Sequence, residues 1–240
     1  MSLLVIDIGN TRCKWAAIEN GQWLTQGVVQ NLALLDLSVA FANLPQPSRI
    51  LVANVAGAKV AQTLVRLLAI WQVVPEFVVA TGAQAGVTNG YDDPAQLGCD
   101  RWAALIAAWH QVGDACLVVN CGTATTIDAL SPRGEFLGGL ILPGIDLMRQ
   151  SLAQGAAQLT CSAGAVADFP RNTADAILSG VIKATAGAID RQSALLGNKV
   201  PCLLSGGAAE LVRPQLACYA IPVENLVLIG LQIIGETKLC

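Results

Sequence analysis

The chain has 240 residues, 54% hydrophobic and only 13% charged, with a formal net charge of −3. That length holds one large domain or two small ones, and the hydrophobicity excludes a disordered chain, which combines few apolar residues with much charge. The 14 Lys and Arg are scattered and leave no basic footprint for nucleic acid, while the most apolar run near the end, residues 225–235, is far short of the ~20 residues that span a bilayer.

The N-terminal segment predicts a strand over residues 3–8, with no basic region ahead of it and Asp7 closing the apolar run. This is not the pattern of a secretory signal and points to a cytoplasmic chain. Strands over 14–18 and 23–29 follow, the second turn carrying Asn20-Gly21, a strong hairpin signal. A helical stretch over 32–44 ends at Pro45-Gln-Pro47. Next come a buried strand over 50–53, a helix over 58–71 with Val60, Leu64, Leu67 and Leu68 on one face, and a strand over 77–80. A glycine-rich loop over 81–96 leads to a helix over 100–110.

Then the pattern restarts. Strands are predicted over 116–120, 125–130 and 136–142, with Ser131-Pro-Arg-Gly134 as a tight turn. Helices over 143–152 and 172–196, a strand over 200–204 and a closing helix over 224–237 complete the chain. Val5-Ile-Asp-Ile-Gly-Asn-Thr11 echoes Val118-Val-Asn-Cys-Gly-Thr-Ala124. The match in polar positions predicts an internal duplication, with halves 1–112 and 113–240. So little charge around so large a core predicts buried strands or a large subunit interface.

The eight cysteines form no Cys-x-x-Cys pair, which argues against zinc and a disulfide framework. They read as small buried hydrophobes. His110 is the only histidine, and no Gly-x-Ser-x-Gly elbow is present, so Ser-His-Asp hydrolysis lacks support. Neither the P-loop pattern nor Gly-x-Gly-x-x-Gly occurs.

Three segments carry chemistry. Asp7-Ile-Gly-Asn-Thr11 sets a carboxylate at a strand tip beside a glycine whose N–H can approach a phosphate closely. Asn10, Thr11 and Lys14 add donors and charge, and Asp7 suits Mg²⁺, a hard cation that favours carboxylate oxygens. Gly122-Thr-Ala-Thr125 supplies a second set of N–H and hydroxyl donors, and two such hairpins facing across a cleft would clamp a nucleoside triphosphate. The third is Tyr91-Asp-Asp-Pro-Ala-Gln-Leu-Gly98-Cys-Asp-Arg101. A carboxylate at a loop-to-helix junction can act as a general base on a hydroxyl, which phosphoryl transfer needs beside positioning and charge neutralisation. From this segment alone, the reading that prevails is Asp100 as an N-terminal cap and Arg101 as half of a surface ion pair.

Together these motifs, with Gly138-Gly-Leu-Ile-Leu-Pro-Gly144, Asn172-Thr173 and Ser205-Gly-Gly207, resemble those of type III pantothenate kinases, in the same order and along essentially the whole chain. That family belongs to the acetate-and-sugar-kinase/Hsp70/actin superfamily. The resemblance implies an α/β fold of two duplicated actin-like, ribonuclease H-like ATPase domains with mixed sheets flanked by helices. It implies ATP-dependent phosphorylation of pantothenate, the first step toward coenzyme A, with Mg²⁺. Asp100 then corresponds to the general base, and Tyr91, Gly98, Cys99, Asp100 and Arg101 to pantothenate contacts. Asp7, Ile8, Gly9, Asn10, Thr11, Arg12, Cys13 and Lys14, with Gly122 and Thr123, correspond to phosphate-binding elements. Ser205, Gly206 and Gly207 correspond to the adenosine side, Asp7 and Asp128 to metal positions, and Thr173 to a substrate contact supplied across a homodimer interface.

Many members carry Asp where this chain has Asn120, and there hold potassium or ammonium. An amide keeps one oxygen but loses the charge, and a charge-poor site binds a hard cation less well. The monovalent-cation site is therefore weakened, absent or rebuilt with backbone carbonyls. The same resemblance leaves two rival functions, a non-catalytic accessory regulator of the family and another small-molecule kinase of the superfamily. Loss of Asp7 or Asp100 would favour the regulator, but both are present.

Overall fold

The computed structural model describes residues 2–155, 162–197 and 199–237. In chain order the strands are β1 (Ser2–Ile8), β2 (Arg12–Glu19), β3 (Gln22–Gln30), β4 (Arg49–Asn54), β5 (Glu76–Phe77), β6 (Ala83–Gln84), β7 (Val87–Asn89), β8 (Cys116–Cys121), β9 (Ala124–Leu130), β10 (Glu135–Pro143), β11 (Cys202–Ser205) and β12 (Ala220–Pro222). The α-helices are α1 (Leu37–Ala42), α2 (Ala58–Leu68), α3 (Cys99–Val112), α4 (Ile145–Gly155), α5 (Thr173–Leu196), α6 (Ala209–Val212) and α7 (Leu226–Glu236). The chain divides into two compact units. One holds the residues up to Gly113, Gly134–Phe136 and the segment from Asn225 onward; the other holds Asp114–Arg133 and Leu137–Glu224.

In the first unit the strand order is β3-β2-β1-β4-β5. β1 pairs antiparallel with β2 and parallel with β4. Asn20 and Gly21 both have positive φ, 52° and 82°, as a type I′ hairpin turn demands. The sheet is covered on both faces. Leu4, Ile6 and Ile8 of β1 share a core with Phe41, Leu64, Leu68 and Trp71. Phe41 meets the rings of Trp15 and Trp71, each at 5.5 Å between centroids, an arrangement worth about 0.5–1.5 kcal/mol per pair beyond burial. On the opposite face Leu3 lies against Gly235 of α7. Further along α7, a Cβ at Gly230 would overlap the Ala103 carbonyl, so glycine lets α7 settle directly on α3. A division of the chain at Gly113 would leave this closing helix in the second half; its packing lies in the first unit.

The second unit repeats the plan. Five strands of its seven-stranded sheet run in the order β10-β9-β8-β11-β12, with β8 antiparallel to β9 and parallel to β11, and β7 and β6 follow β10 in the same sheet. Strand for strand this matches β3-β2-β1-β4-β5, so the echo between the two halves of the sequence is a duplication of backbone topology. Leu117, Val119 and Ile127 pack with Ile145, Val181, Ile182, Ile189 and Val212. The helix α5 starts at Asn172, whose side chain accepts the Asp175 N–H at 2.9 Å and whose amide donates to the Asp175 carboxylate at 2.6 Å. Such a cap is worth about 1 kcal/mol.

Some elements differ from expectation. The predicted helix over 32–44 is a 3-10 turn over Asn31–Asp36 followed by the short α1. The loop over 81–96 contains the β6–β7 hairpin, and β7 pairs parallel with Glu135 and Phe136. β12 and α6, of three and four residues, are too short to show a period in sequence. Cys13, Cys116, Cys121 and Cys202 are buried as expected of small fillers, while Cys99 and Cys218 are half-buried; Cys161 and Cys240 lie outside the described residues. No helix among the described residues is long and apolar enough to cross a membrane.

Candidate active site

In the first unit the β1–β2 hairpin closes through the Gly9 N–H, which donates to the Arg12 carbonyl at 3.0 Å. Asp7 stands opposite Lys14, and Ile8 opposite Cys13. Ile8 and Cys13 are fully buried, so only their backbone groups can serve a ligand. Asn10, Thr11 and Arg12 are exposed. Asn31 staples the tip from outside the motif. Its amide donates to the Gly9 carbonyl at 2.7 Å, and its N–H donates to the Thr11 carbonyl at 2.9 Å. Sequence reasoning did not single out Asn31, because one polar residue after a strand carries no distinctive spacing.

Asp100 sits in the first turn of α3. The N-terminal cap of that helix is Gly98 rather than Asp100, because the Asp100 carboxylate folds back to accept the Arg101 N–H at 2.8 Å. A Cβ at Gly98 would come within 2.7 Å of the same carboxylate oxygen, so glycine makes room for it. Burial pushes the Asp100 carboxyl above its ordinary range, against the opposing pull of the Arg101 N–H and charge. Asp7 is pushed up to about 7, first by burial and then by the negative charge of Asp100, with Lys14 opposing. The two carboxylates thus feel one another. Cys99 is pushed up to about 11 and Cys13 to about 12, both chiefly by burial. Neither thiol is ionised near neutrality, so neither is an activated nucleophile.

Arg101 is 6% exposed, so its charge lies inside the fold and not on the surface. Its guanidinium lies 5.7 Å from the ring centres of both Tyr91 and Phe136, and it donates to the Tyr91 hydroxyl at 3.1 Å. The two rings are 5.2 Å apart. Cation–π contact of this kind tolerates a buried charge that would otherwise be costly. Phe136 is the residue that sequence reasoning missed here, having read it only as the start of a strand. Tyr91 is itself fixed, its N–H donating to Asn89, whose amide donates to the Pro94 carbonyl.

The second unit builds a parallel structure. The Gly122 N–H donates to the Ala124 carbonyl at 3.0 Å, closing the β8–β9 hairpin at Thr123. The Gly144 N–H donates to the Thr123 carbonyl at 2.9 Å, and a Cβ at Gly144 would overlap the Gly122 carbonyl. Asn120 is the register neighbour of Thr126 on one side and Ser205 on the other. Gly206, at φ 101°, passes against the Cys121 backbone. The phosphate-type hairpin, Asn120 and Ser205-Gly206-Gly207 are therefore brought together in this unit. Asp128 is not at the tip. It is buried within β9 opposite Val118. Thr173 is exposed at the start of α5, in a groove of about 630 Å³ that Leu152, Arg171, Asn172 and Ile177 help to line.

A divalent cation fits the first unit chemically. Asp7 offers hard oxygen ligands, and its proton affinity, raised first by burial and then by the Asp100 charge, marks a carboxylate that a cation would relieve. Among the described residues no cluster of three or more His, Cys, Asp or Glu forms. A metal there would take its remaining ligands from phosphate and water, as Mg²⁺ commonly does.

Two mixed sheets, each flanked by helices and each with a glycine-tipped first hairpin, share one five-strand order and define a duplicated α/β fold. A solved Campylobacter jejuni chain described as a Baf family transcriptional activator has this fold, with a TM-score of 0.62, 22% identity and coverage of 97% of this chain and 98% of that one. So has the activator of 2-hydroxyisocaproyl-CoA dehydratase from Clostridium difficile with bound ADPNP, at a TM-score of 0.55, 12% identity and coverage of 98% and 92%. Residues 3–194 match the family model of type III pantothenate kinase. The chain is also 48% identical over 238 residues to the type III pantothenate kinase of Nitrosospira multiformis, covering 98% of this chain and 91% of that one. The chain belongs to the type III pantothenate kinase family.

Proposed function

We propose that this chain moves the γ-phosphoryl group of ATP to the primary hydroxyl of pantothenate, the first step of coenzyme A biosynthesis, with Asp100 as general base. The observation that carries the reading is the Asp100 carboxylate, part-buried at the start of α3, raised in proton affinity and adjacent to the caged Arg101. A raised carboxylate is the better base near neutral pH, and removal of the hydroxyl proton at the moment of transfer is what this reaction asks of a side chain. The other requirement is positioning. Arg101, with Tyr91, Gly98 and Cys99, holds pantothenate, the guanidinium matching the substrate's carboxylate.

Residues 7–14 and Gly122-Thr123 hold the phosphates through backbone N–H groups, hydroxyls and the Lys14 charge. Ser205-Gly206-Gly207 takes the adenosine side. Asp7 holds Mg²⁺, and Asp128, set deeper in its strand, is the second metal position. When bound, the cation supplies charge neutralisation at the phosphates. The halves 1–112 and 113–240 divide these tasks, the first carrying the base and one phosphate motif, the second the other phosphate motif, the adenosine motif and the dimer helices. The exposed Thr173 completes the pantothenate site of a second copy in a homodimer, and the exposed Leu140, Ile141, Leu147 and Phe169 support a covered surface in this unit. The setting is the cytoplasm.

ATP consumption dependent on pantothenate, followed with and without potassium, tests the activity. Turnover without potassium matches the missing charge at Asn120. Absence of turnover under both conditions favours the regulatory alternative. Phe136→Leu removes one wall of the Arg101 cage. Its KM for pantothenate is expected to rise roughly 2- to 30-fold, the equivalent of about 0.5–2 kcal/mol of cation–π contact, with kcat and the KM for ATP nearly unchanged. An unmoved pantothenate KM in a folded variant removes Arg101 from the substrate site.

A further inference from the structure

The second unit holds a pair of cysteines that phosphoryl transfer does not use. Cys202 opens β11 and is 0% exposed. Its N–H donates to the Tyr219 carbonyl at 2.9 Å, so the segment leading into β12 runs directly beside it. Cys218 precedes Tyr219 and is half-buried. Asp190 of α5 fixes that turn by accepting the N–H groups of Ala217 and Cys218, at 3.0 and 2.9 Å. β11 and β12 pair in parallel with Cys202 opposite Ala220, which brings Cys218, two residues earlier, beside Cys202, and the two thiols interact, Cys202 as donor.

We propose that Cys202 and Cys218 form a reversible dithiol–disulfide site that reacts with small hydroperoxides. The half-buried Cys218 attacks and the fully buried Cys202 resolves. The hydrogen bond from Cys202 lowers the proton affinity of Cys218, aided by Ser193 and opposed by Asp190 and by burial. A lowered, accessible thiol is the reactive kind. Cys13, Cys99, Cys116 and Cys121 are instead pushed up to about 11 or 12, chiefly by burial.

In the first step the Cys218 thiolate attacks one peroxide oxygen. An S–O bond forms, the O–O bond breaks, and the leaving oxygen takes a proton to become water or an alcohol. In the second step the Cys202 sulfur, giving up its proton, attacks the Cys218 sulfenic sulfur. The S–S bond forms, the S–O bond breaks, and hydroxide leaves as water. Two thiols lose two electrons and the peroxide gains them. A thiol reductant reverses the link by exchange. The site stands on the geometry of the second unit and is independent of the kinase reading.

The test uses the full chain, reduced, freed of reductant and exposed to hydrogen peroxide under native conditions. Free thiols are then alkylated, and the protein is digested without reductant for mass spectrometry. The expected product joins the Cys202 and Cys218 peptides with loss of two hydrogens, and dithiothreitol reverses it. In Cys202→Ala the sulfenic acid at Cys218 should persist and take up dimedone. In Cys218→Ser, Cys202 should remain alkylatable after denaturation. If Cys202→Ala does not fold, the wild-type and Cys218→Ser digests decide the matter. Oxidation that stops at Cys218 in the wild type, a link to Cys161 or Cys240 instead, or no oxidation at either residue overturns the proposal.

Discussion

Asp100→Asn is expected to lower kcat by about 10²–10⁴-fold, the usual contribution of a general base, while KM for both substrates stays within a few-fold. The substitution is nearly isosteric, and the amide oxygen can still accept the Arg101 N–H that the carboxylate accepts at 2.8 Å. The start of α3, and with it the Arg101 cage, should therefore survive. What is lost is the proton acceptor. Equal losses in kcat and kcat/KM are the signature of a group that acts in the transition state. The pH profile provides a second readout. Burial raises the Asp100 carboxyl, and a base works only when deprotonated, so the wild-type rate should climb with pH through that raised range. The residual activity of the variant should lack that limb. A folded Asp100→Asn protein with near-wild-type kcat would assign the base elsewhere.

Asp7→Asn should separate activity from stability. Activity with ATP and Mg²⁺ is expected to fall roughly 10²–10³-fold, comparable to removing one preorganised charge partner in a phosphoryl or acyl site. Stability of the ligand-free protein should move the other way. The Asp7 carboxyl rises from 3.8 to about 7 in the folded chain. Between those values the folded state binds more protons than the unfolded one, so stability falls as pH rises toward 7. At about 1.4 kcal/mol per tenfold change in proton affinity, the full cost above pH 7 is on the order of 4 kcal/mol. Asp100 shifts in the same direction. Denaturant melts of the ligand-free wild type should thus weaken from pH 5 to pH 8, and Asp7→Asn should flatten much of that slope. A variant that melts below wild type at pH 8 contradicts the assignment of a strained, ligand-awaiting carboxylate.

Much of this was legible in the residues, for physical reasons. Short apolar runs and the Asn20-Gly21 turn marked the first meander, and the echo of residues 5–11 in 118–124 foretold the repeated strand order of the two units. Motif positions carried over as well, since glycines at hairpin tips and helix starts are dictated by local sterics. Non-local contacts were the part that stayed hidden. The partnership of Arg101 with Phe136 joins residues far apart in sequence, with no periodicity to announce it. Asn31 reaches Gly9 through a single amide. Read locally, Arg101 looked like a surface charge, because nothing in the segment from Tyr91 to Arg101 reveals that two rings enclose it. The packing of α7 on α3 depends on one glycine, Gly230, and on a chain reversal that hydropathy does not encode. The Cys202–Cys218 contact likewise depends on β12, a three-residue strand below the reach of pattern reading.

The most direct measurement is identification of the product when the purified chain is given ATP, Mg²⁺ and pantothenate. Mass spectrometry and phosphorus NMR should show a phosphate ester on the primary hydroxyl of pantothenate, formed in step with ADP and suppressed in Asp100→Asn. ADP formed without that ester, or no ADP under any cation condition, would contradict a pantothenate kinase that works through Asp100.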